Sequence, residues 1–102
     1  MWDYEWDTAE FEFDNYEWNR EKARINRAKH RVGFEEAASI FDDEVVVRSE
    51  IVEDEERCTA IGAVGVRFFA VVFTERGRTC RIISARKATP SERRRYGAHF
   101  GR

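Results

Sequence analysis

Residues 57–85 read Arg57-Cys58-Thr59-Ala60-Ile61-Gly62-Ala63-Val64-Gly65-Val66-Arg67-Phe68-Phe69-Ala70-Val71-Val72-Phe73-Thr74-Glu75-Arg76-Gly77-Arg78-Thr79-Cys80-Arg81-Ile82-Ile83-Ser84-Ala85. From Arg57 to Val64, Thr59, Ile61 and Ala63 alternate with Cys58, Ala60 and Gly62, the period of two that a strand with two unlike faces requires. Gly65 supplies the turn of a tight hairpin. Phe68 to Phe73 is almost continuously apolar, as a central strand covered on both faces would be. Arg76-Gly77 turns the chain into a last strand, Thr79 to Ala85. Upstream, Val45-Val46-Val47 with its polar continuation through Val52 reads as a further strand, at an edge.

Helical signals flank this meander. Asn19 can cap a helix beginning at Arg20, because its side-chain oxygen accepts from an orphan backbone N–H. On that helix Arg20, Arg24, Arg27 and Arg31 share one face, with Trp18 and Ile25 opposite, flanked by Lys22 and Lys29. Gly33 breaks the chain, and Phe34, Ala37, Ala38 and Phe41 follow the i, i+3, i+4, i+7 pattern of a short second helix. Thr89-Pro90-Ser91-Glu92 is a capping box with proline at the first helical position; it opens a third helix whose Tyr96 and Phe100 return to the sheet. The expected fold is α+β: two N-terminal helices, a four-stranded antiparallel meander and a C-terminal helix. The short connections leave no room for a parallel crossover.

A chain of 102 residues is the size of one domain, and its 42% apolar content fits a globular core. No apolar run is long enough to span a bilayer, and Met1-Trp2-Asp3-Tyr4-Glu5-Trp6-Asp7 lacks the basic start and apolar stretch of a secretory signal. The expectation is a cytoplasmic protein with no membrane partner, in which Cys58 and Cys80 stay reduced as small buried thiols. Tyr4-Glu5-Trp6-Asp7 recurs as Tyr16-Glu17-Trp18-Asn19; the first copy reads equally as an added strand, an acidic arm or residues upstream of the true start.

The net charge of −2 conceals segregation. Residues 1–19 carry seven acids and no base, residues 20–31 six bases and Glu21, residues 35–56 ten acids and Arg48. From Arg57 onward there are eleven bases against Glu75 and Glu92. Such blocks suggest separate acidic and basic faces, although a fold can intermix them.

Phosphate-binding glycine loops, zinc-finger spacings, HExxH and nucleophile elbows are all missing from the sequence, and the acids of residues 42–56 run in sequence rather than converging. No metal or cofactor is expected. Metal-free RNA cleavage needs an activated 2′-hydroxyl, a stabilised pentavalent phosphate and a protonated leaving oxygen. Arginine and lysine suit the second task, and histidine, glutamate, lysine or tyrosine can move protons. Lys29 and His30 at a helix end, Arg57, and Arg81 and Arg86 on the last strand are the candidates. His30 equally suits the end of its helix, where a cation is favoured. Tyr96 equally suits the core, and Glu92 the capping box. Arg81 and Arg86 are five apart, so a regular strand points them to opposite faces unless a bulge re-aims one. Spacing alone supports polyanion binding and does not establish cleavage.

The stretch Tyr16-Glu17-Trp18-Asn19, Lys22, Asn26, Lys29-His30, Val32, Phe34-Glu35-Glu36-Ala37 and Phe41-Asp42-Asp43 resembles the opening of the BrnT toxin family. The likeness continues through Glu56-Arg57, Ile61-Gly62, Val71-Val72-Phe73-Thr74-Glu75-Arg76, the run from Arg81 to Thr89, and Glu92-Arg93-Arg94-Arg95-Tyr96. It runs from about residue 13 to residue 96, leaving residues 1–12 as an acidic aromatic extension to a single toxin domain over 13–102. The family usually has glycine directly after Lys-His, where this chain has Arg31.

The resemblance implies a RelE-like fold and the toxin of a type II toxin–antitoxin system, an endoribonuclease that inhibits translation. It further implies a BrnA-type antitoxin that neutralises the toxin in a heterocomplex, 2:2 in the family's pattern, and carries the contact with operator DNA. On this basis Arg57 and Arg81 would grip phosphate, with Lys29, His30 and Arg86 assisting. The alternative is a degenerate toxin that binds antitoxin or nucleic acid without cutting. In a further alternative, residues 2–14 mimic RNA and cover the basic face.

Overall fold

The two hairpins implied by residues 57–85 form the middle of a sheet. A computed structural model of the chain describes residues 5–101. Strand β4 (Glu55–Val64) pairs antiparallel with β5 (Arg67–Arg76), and β5 with β6 (Thr79–Lys87). Val64 faces Arg67 and Arg76 faces Thr79, so each turn has two residues. Each begins with a glycine, Gly65 or Gly77, at φ +63°, where an L side chain would be strained. Strand β3 (Val45–Val52) adds antiparallel to β4.

The sheet then exceeds the four-stranded antiparallel meander expected from sequence. A short strand, β1 (Asp7–Ala9), pairs antiparallel with Val45–Val47, so the start of β3 is interior and only its polar continuation lies at an edge. Another, β2 (Asn15–Trp18), pairs parallel with β6, Asn15 opposite Thr79 and Trp18 opposite Ile82. The order is β1-β3-β4-β5-β6-β2, a six-stranded mixed sheet. The helices are therefore preceded by two strands rather than opening the fold. The expectation of no parallel pairing failed because it weighed only neighbouring strands. Here everything between β2 and β6 serves as the connection.

The helices begin where their caps dictate. Asn19 Oδ1 accepts from the Lys22 N–H at 2.9 Å and starts α1 (Arg20–His30). Phe34–Ala38 forms α2, continued by a 3₁₀ turn over Ser39–Asp42, and Phe34, Ala37, Ala38 and Phe41 are all buried as their spacing requires. The Thr89–Glu92 capping box opens α3 (Pro90–Phe100).

Two unequal cores sit on the two faces of the sheet. On the first, α1, α2 and the 3₁₀ turn cover Phe69, Val71, Phe73, Cys80, Ile82 and Ala85. Phe11 and Phe13 pack edge-on to Phe41 and Phe73, with ring centroids 5.4–6.0 Å apart. On the second face α3 brings Tyr96 against Val46, Ile61 and Trp6. Helix α3 packs mainly on β3 and β4 and reaches β5 and β6 only at one end, through Phe68 and Arg86, so the rest of the second face at β5 and β6 is left partly open.

Two details of α1 depart from the helical wheel. Ile25 is 51% exposed and Trp18 belongs to β2; Asn26 is the buried residue of the helix. The helix ends on Arg31 in the left-handed region, φ 59°, its N–H donating to the Arg27 carbonyl at 2.8 Å. A non-glycine residue at such a cap carries strain that glycine avoids. Replacing Arg31→Gly is expected to raise the stability to urea by about 0.5–1 kcal/mol, checked by the unfolding midpoint. A lowered midpoint would mean that the Arg31 side chain contributes more than its backbone costs.

Candidate functional site

The open part of the second face is built from a single row of paired positions. Arg57 on β4 lies opposite Thr74 on β5, counting one step on from the Cys58–Phe73 pair, and Thr74 lies opposite Arg81 on β6. Arg81 in turn lies beside Glu17 on β2. Phe73, Cys80, Cys58 and Ile82 all enter the first core, so alternation sends Arg57, Thr74 and Arg81 to the other side together. Two strand spacings separate Arg57 from Arg81, about 10 Å, a gap that two arginine side chains can close.

Arg86 joins this face through an irregularity. Val72 pairs with Ser84 and Phe73 with Ile82, leaving Ile83 as an extra residue in β6. The bulge shifts the alternation by one, so Cys80, Ile82 and Ala85 are all buried in the first core. Arg81 and Arg86 therefore leave the strand on the same side. This is the exception that a regular strand would have forbidden.

Carboxylates attend every one of these arginines. Arg57 Nε lies 3.3 Å from Glu55 Oε1, and Arg81 Nη1 lies 3.2 Å from Glu17 Oε2. Arg76 stands between them, Nη1 4.0 Å from Glu17 and Nη2 3.9 Å from Glu55. The result is a chain of charges, Arg81–Glu17–Arg76–Glu55–Arg57. Its members keep 34–59% of their side-chain surface exposed, so each link contributes only about 0–1 kcal/mol. Beneath them the Thr74 hydroxyl is buried and has no hydrogen-bond partner. Such a group costs about 1–3 kcal/mol in the folded state.

Arg86 is held differently. It forms a two-pronged pair with Glu92, Nη1–Oε1 2.7 Å and Nη2–Oε2 2.9 Å, while Glu92 Oε1 also accepts from the Thr89 N–H at 2.9 Å. The capping box that starts α3 thus also fixes Arg86 against the end of the open face.

Helix α1 borders the β6 edge just past the end of β2. Asn26 Nδ2 donates to the Ala85 carbonyl at 2.8 Å and its Oδ1 accepts from the Ala85 N–H at 3.2 Å, so one side chain replaces a missing strand partner. Around the helix, Ala23 and His30 lie about 60° and 40° to one side of Asn26, and Lys22 and Lys29 about 40° and 60° to the other. Ala23 packs on the first core. His30 therefore lies on the side of the helix that packs on the first core, and Lys29 on the side away from it. Of the sequence candidates, Arg57, Arg81 and Arg86 share one face of the sheet, Arg86 four paired positions along from Arg81, while Lys29 and His30 lie on α1 at the β6 edge. Thr74, Arg76, Glu17 and Glu55 were not anticipated. Alternation links Glu55 with Arg57 and Thr74 with Arg76, and the two-residue turn at Gly65 sets the register of the two strands; what no local signal betrays is Glu17, which arrives with the parallel strand β2.

Among the described residues the acidic arm does not cover this row. Glu5 pairs with Arg48 at 3.0 Å, Trp6 is buried between Arg48 and Arg95, and Asp14 pairs with Arg78 at 2.7 Å. Phe11 and Phe13 belong to the opposite core, and residues 2–4 of the proposed mimic lie outside the described residues. Cys58 and Cys80 are buried, and burial pushes their thiols up to about 11 and about 12, so both stay protonated and unreactive.

A family model for the ribonuclease toxin, BrnT, of type II toxin-antitoxin systems matches residues 18–92. The chain belongs to the BrnT family. No curated protein sequence matches it. The part matched to the BrnT model contains Arg57, Thr74, Arg76, Arg81, Arg86 and Glu92, and begins one residue after Glu17. No helix among the described residues is long and apolar enough to cross a membrane.

The Arg86–Glu92 pair makes this BrnT chain's stability depend on pH. Hydrogen bonding to Arg86 holds the Glu92 carboxyl below the usual carboxylate range, against the opposing effect of burial. A carboxyl lowered in the folded state adds stability above its unfolded value, and that stability is lost as pH falls through the folded value. The stability difference between wild type and Glu92→Gln, from urea midpoints, should shrink from about pH 6 to about pH 3. A constant difference would show that the pair contributes nothing that titrates.

Proposed function

We propose that the chain is a metal-independent endoribonuclease of RelE-like fold that inhibits translation by cutting RNA at its open arginine face. The observation that carries this reading is the shared face of Arg57, Arg81 and Arg86, which regular strand geometry would have split. In the reaction the 2′-oxygen attacks the adjacent phosphorus and the bond to the 5′-oxygen breaks. A base takes the 2′-proton and an acid returns one to the leaving oxygen. The intermediate phosphorane gathers negative charge, and fixed guanidinium groups stabilise it without reorganising. Arg57 and Arg81 take that role; Arg86 and Lys29 bind the flanking backbone.

A BrnA-type antitoxin is the proposed partner, a segment of which would fold onto this face and so exclude RNA. A second reading, binding without cutting, has one observation in its favour: each of the three arginines already holds a carboxylate.

Incubating the purified chain with single-stranded RNA in excess chelator separates the two. The expected result is cleavage to fragments with cyclic phosphate and 5′-hydroxyl ends, slowed by about 100-fold or more in Arg81→Gln. Intact RNA in the presence of folded protein, with no growth arrest when the chain is expressed alone, would leave the binding reading.

A further inference from the structure

The Thr74 hydroxyl is the one buried side-chain oxygen or nitrogen among the described residues that lacks a partner. Such groups are few in native folds, and each calls for an account in ordered water, an ion, strain or function. Its surroundings indicate what that is. Thr74 shares a face with Arg57 and Arg81, one on each neighbouring strand, and with Arg76 two residues along its own. Around this donor stand three guanidinium groups and two carboxylates, Glu17 and Glu55. A site that binds an anion with arginines and holds acceptors there when empty has the form of a site whose own carboxylates stand in for the ligand.

We propose that Thr74 and Arg76 complete, with Arg57 and Arg81, one phosphate subsite for the RNA backbone, from which Glu17 and Glu55 are displaced on binding. This rests on the reading of the face as the RNA site and adds its floor and its resident counter-ions. The Thr74 hydroxyl donates to a non-bridging phosphate oxygen, gaining the partner it lacks. Arg76, which bridges both carboxylates in the free protein, turns its donors to the same phosphate. The exchange is feasible because the ion pairs it breaks are partly solvated. Releasing Glu17 and Glu55 also leaves two carboxylates beside the phosphate, where a base for the 2′-hydroxyl is needed.

The test is equilibrium binding of a 2′-O-methyl RNA oligonucleotide, which cannot be cut, followed by fluorescence anisotropy across a salt series. Thr74→Val keeps the shape and removes the hydroxyl; it should weaken binding by about tenfold. Because the hydroxyl is unpaired in the free protein, the same variant should unfold at an equal or higher temperature than wild type. Thr74→Ser should bind like wild type. Glu17→Gln with Glu55→Gln should bind more tightly, and Arg76→Gln should lower the slope of log K against log salt by about 0.7–1.

Unchanged affinity in Thr74→Val, or a loss of stability in that variant without a loss of binding, would overturn the subsite. So would failure of the wild-type chain to bind the oligonucleotide. Binding that depends on Thr74, in a protein that leaves ordinary RNA intact, would keep the subsite and remove only the nuclease reading.

Discussion

One extra residue in the last strand governs the rest of the site. Ile83 has no partner across β5, and the half-turn it adds lets Cys80, Ile82 and Ala85 all enter the core on the helical side. The same half-turn brings Arg81 and Arg86 out together on the other side. Without the bulge, either Ala85 or Ile82 would face solvent, or Arg86 would be driven into the apolar core at a cost that a buried unpaired guanidinium cannot recover. Packing of small and branched side chains on one face thus decides the position of charges on the other. The bond between Asn26 and the Ala85 backbone fixes the strand just past the bulge, and the Arg86–Glu92 pair ties its end to α3.

The charges themselves are arranged more evenly than the sequence blocks suggest. Acids from the first part of the chain reach arginines from the rest: Glu5 to Arg48, Asp14 to Arg78, Glu17 to Arg81, Glu36 to Arg67. The blocks along the chain are therefore partly intermixed by the fold through these long-range pairs. For a polyanion ligand the consequence is a site that is nearly neutral at rest. Attraction at long range is muted by the resident carboxylates.

Much of this was legible in the residues. Alternation at Arg57–Val64, the unbroken run at Phe68–Phe73 and the glycines at 65 and 77 specify two hairpins, because strand period and turn geometry are local properties. Asn19, Gly33 and the Thr89–Glu92 box specify helix starts for the same reason. The short strands at Asp7–Ala9 and Asn15–Trp18 were not legible as part of the sheet. Three or four residues carry too little pattern, and their partners lie dozens of positions away. The helical wheel of α1 misled at Ile25 because it assumed an apolar contact, whereas the helix docks by hydrogen bonds from Asn26 to a strand edge.

By itself the sequence determined the three helix starts, the four central strands, and the family to which the chain belongs, since each rests on neighbours within a few residues or on motifs that stay contiguous. Tertiary structure decided the meetings that no local turn or cap could set. The row of Arg57, Thr74 and Arg81 follows from the register that the two-residue turns at Gly65 and Gly77 set, whereas Glu17 joins it only through the parallel pairing of β2 with β6. The placing of Arg81 and Arg86 on one face depends on a single unpaired residue that no composition or spacing betrays. A shift of one position in either would leave the same elements and scatter the same charges, because a strand's side chains change face with every residue.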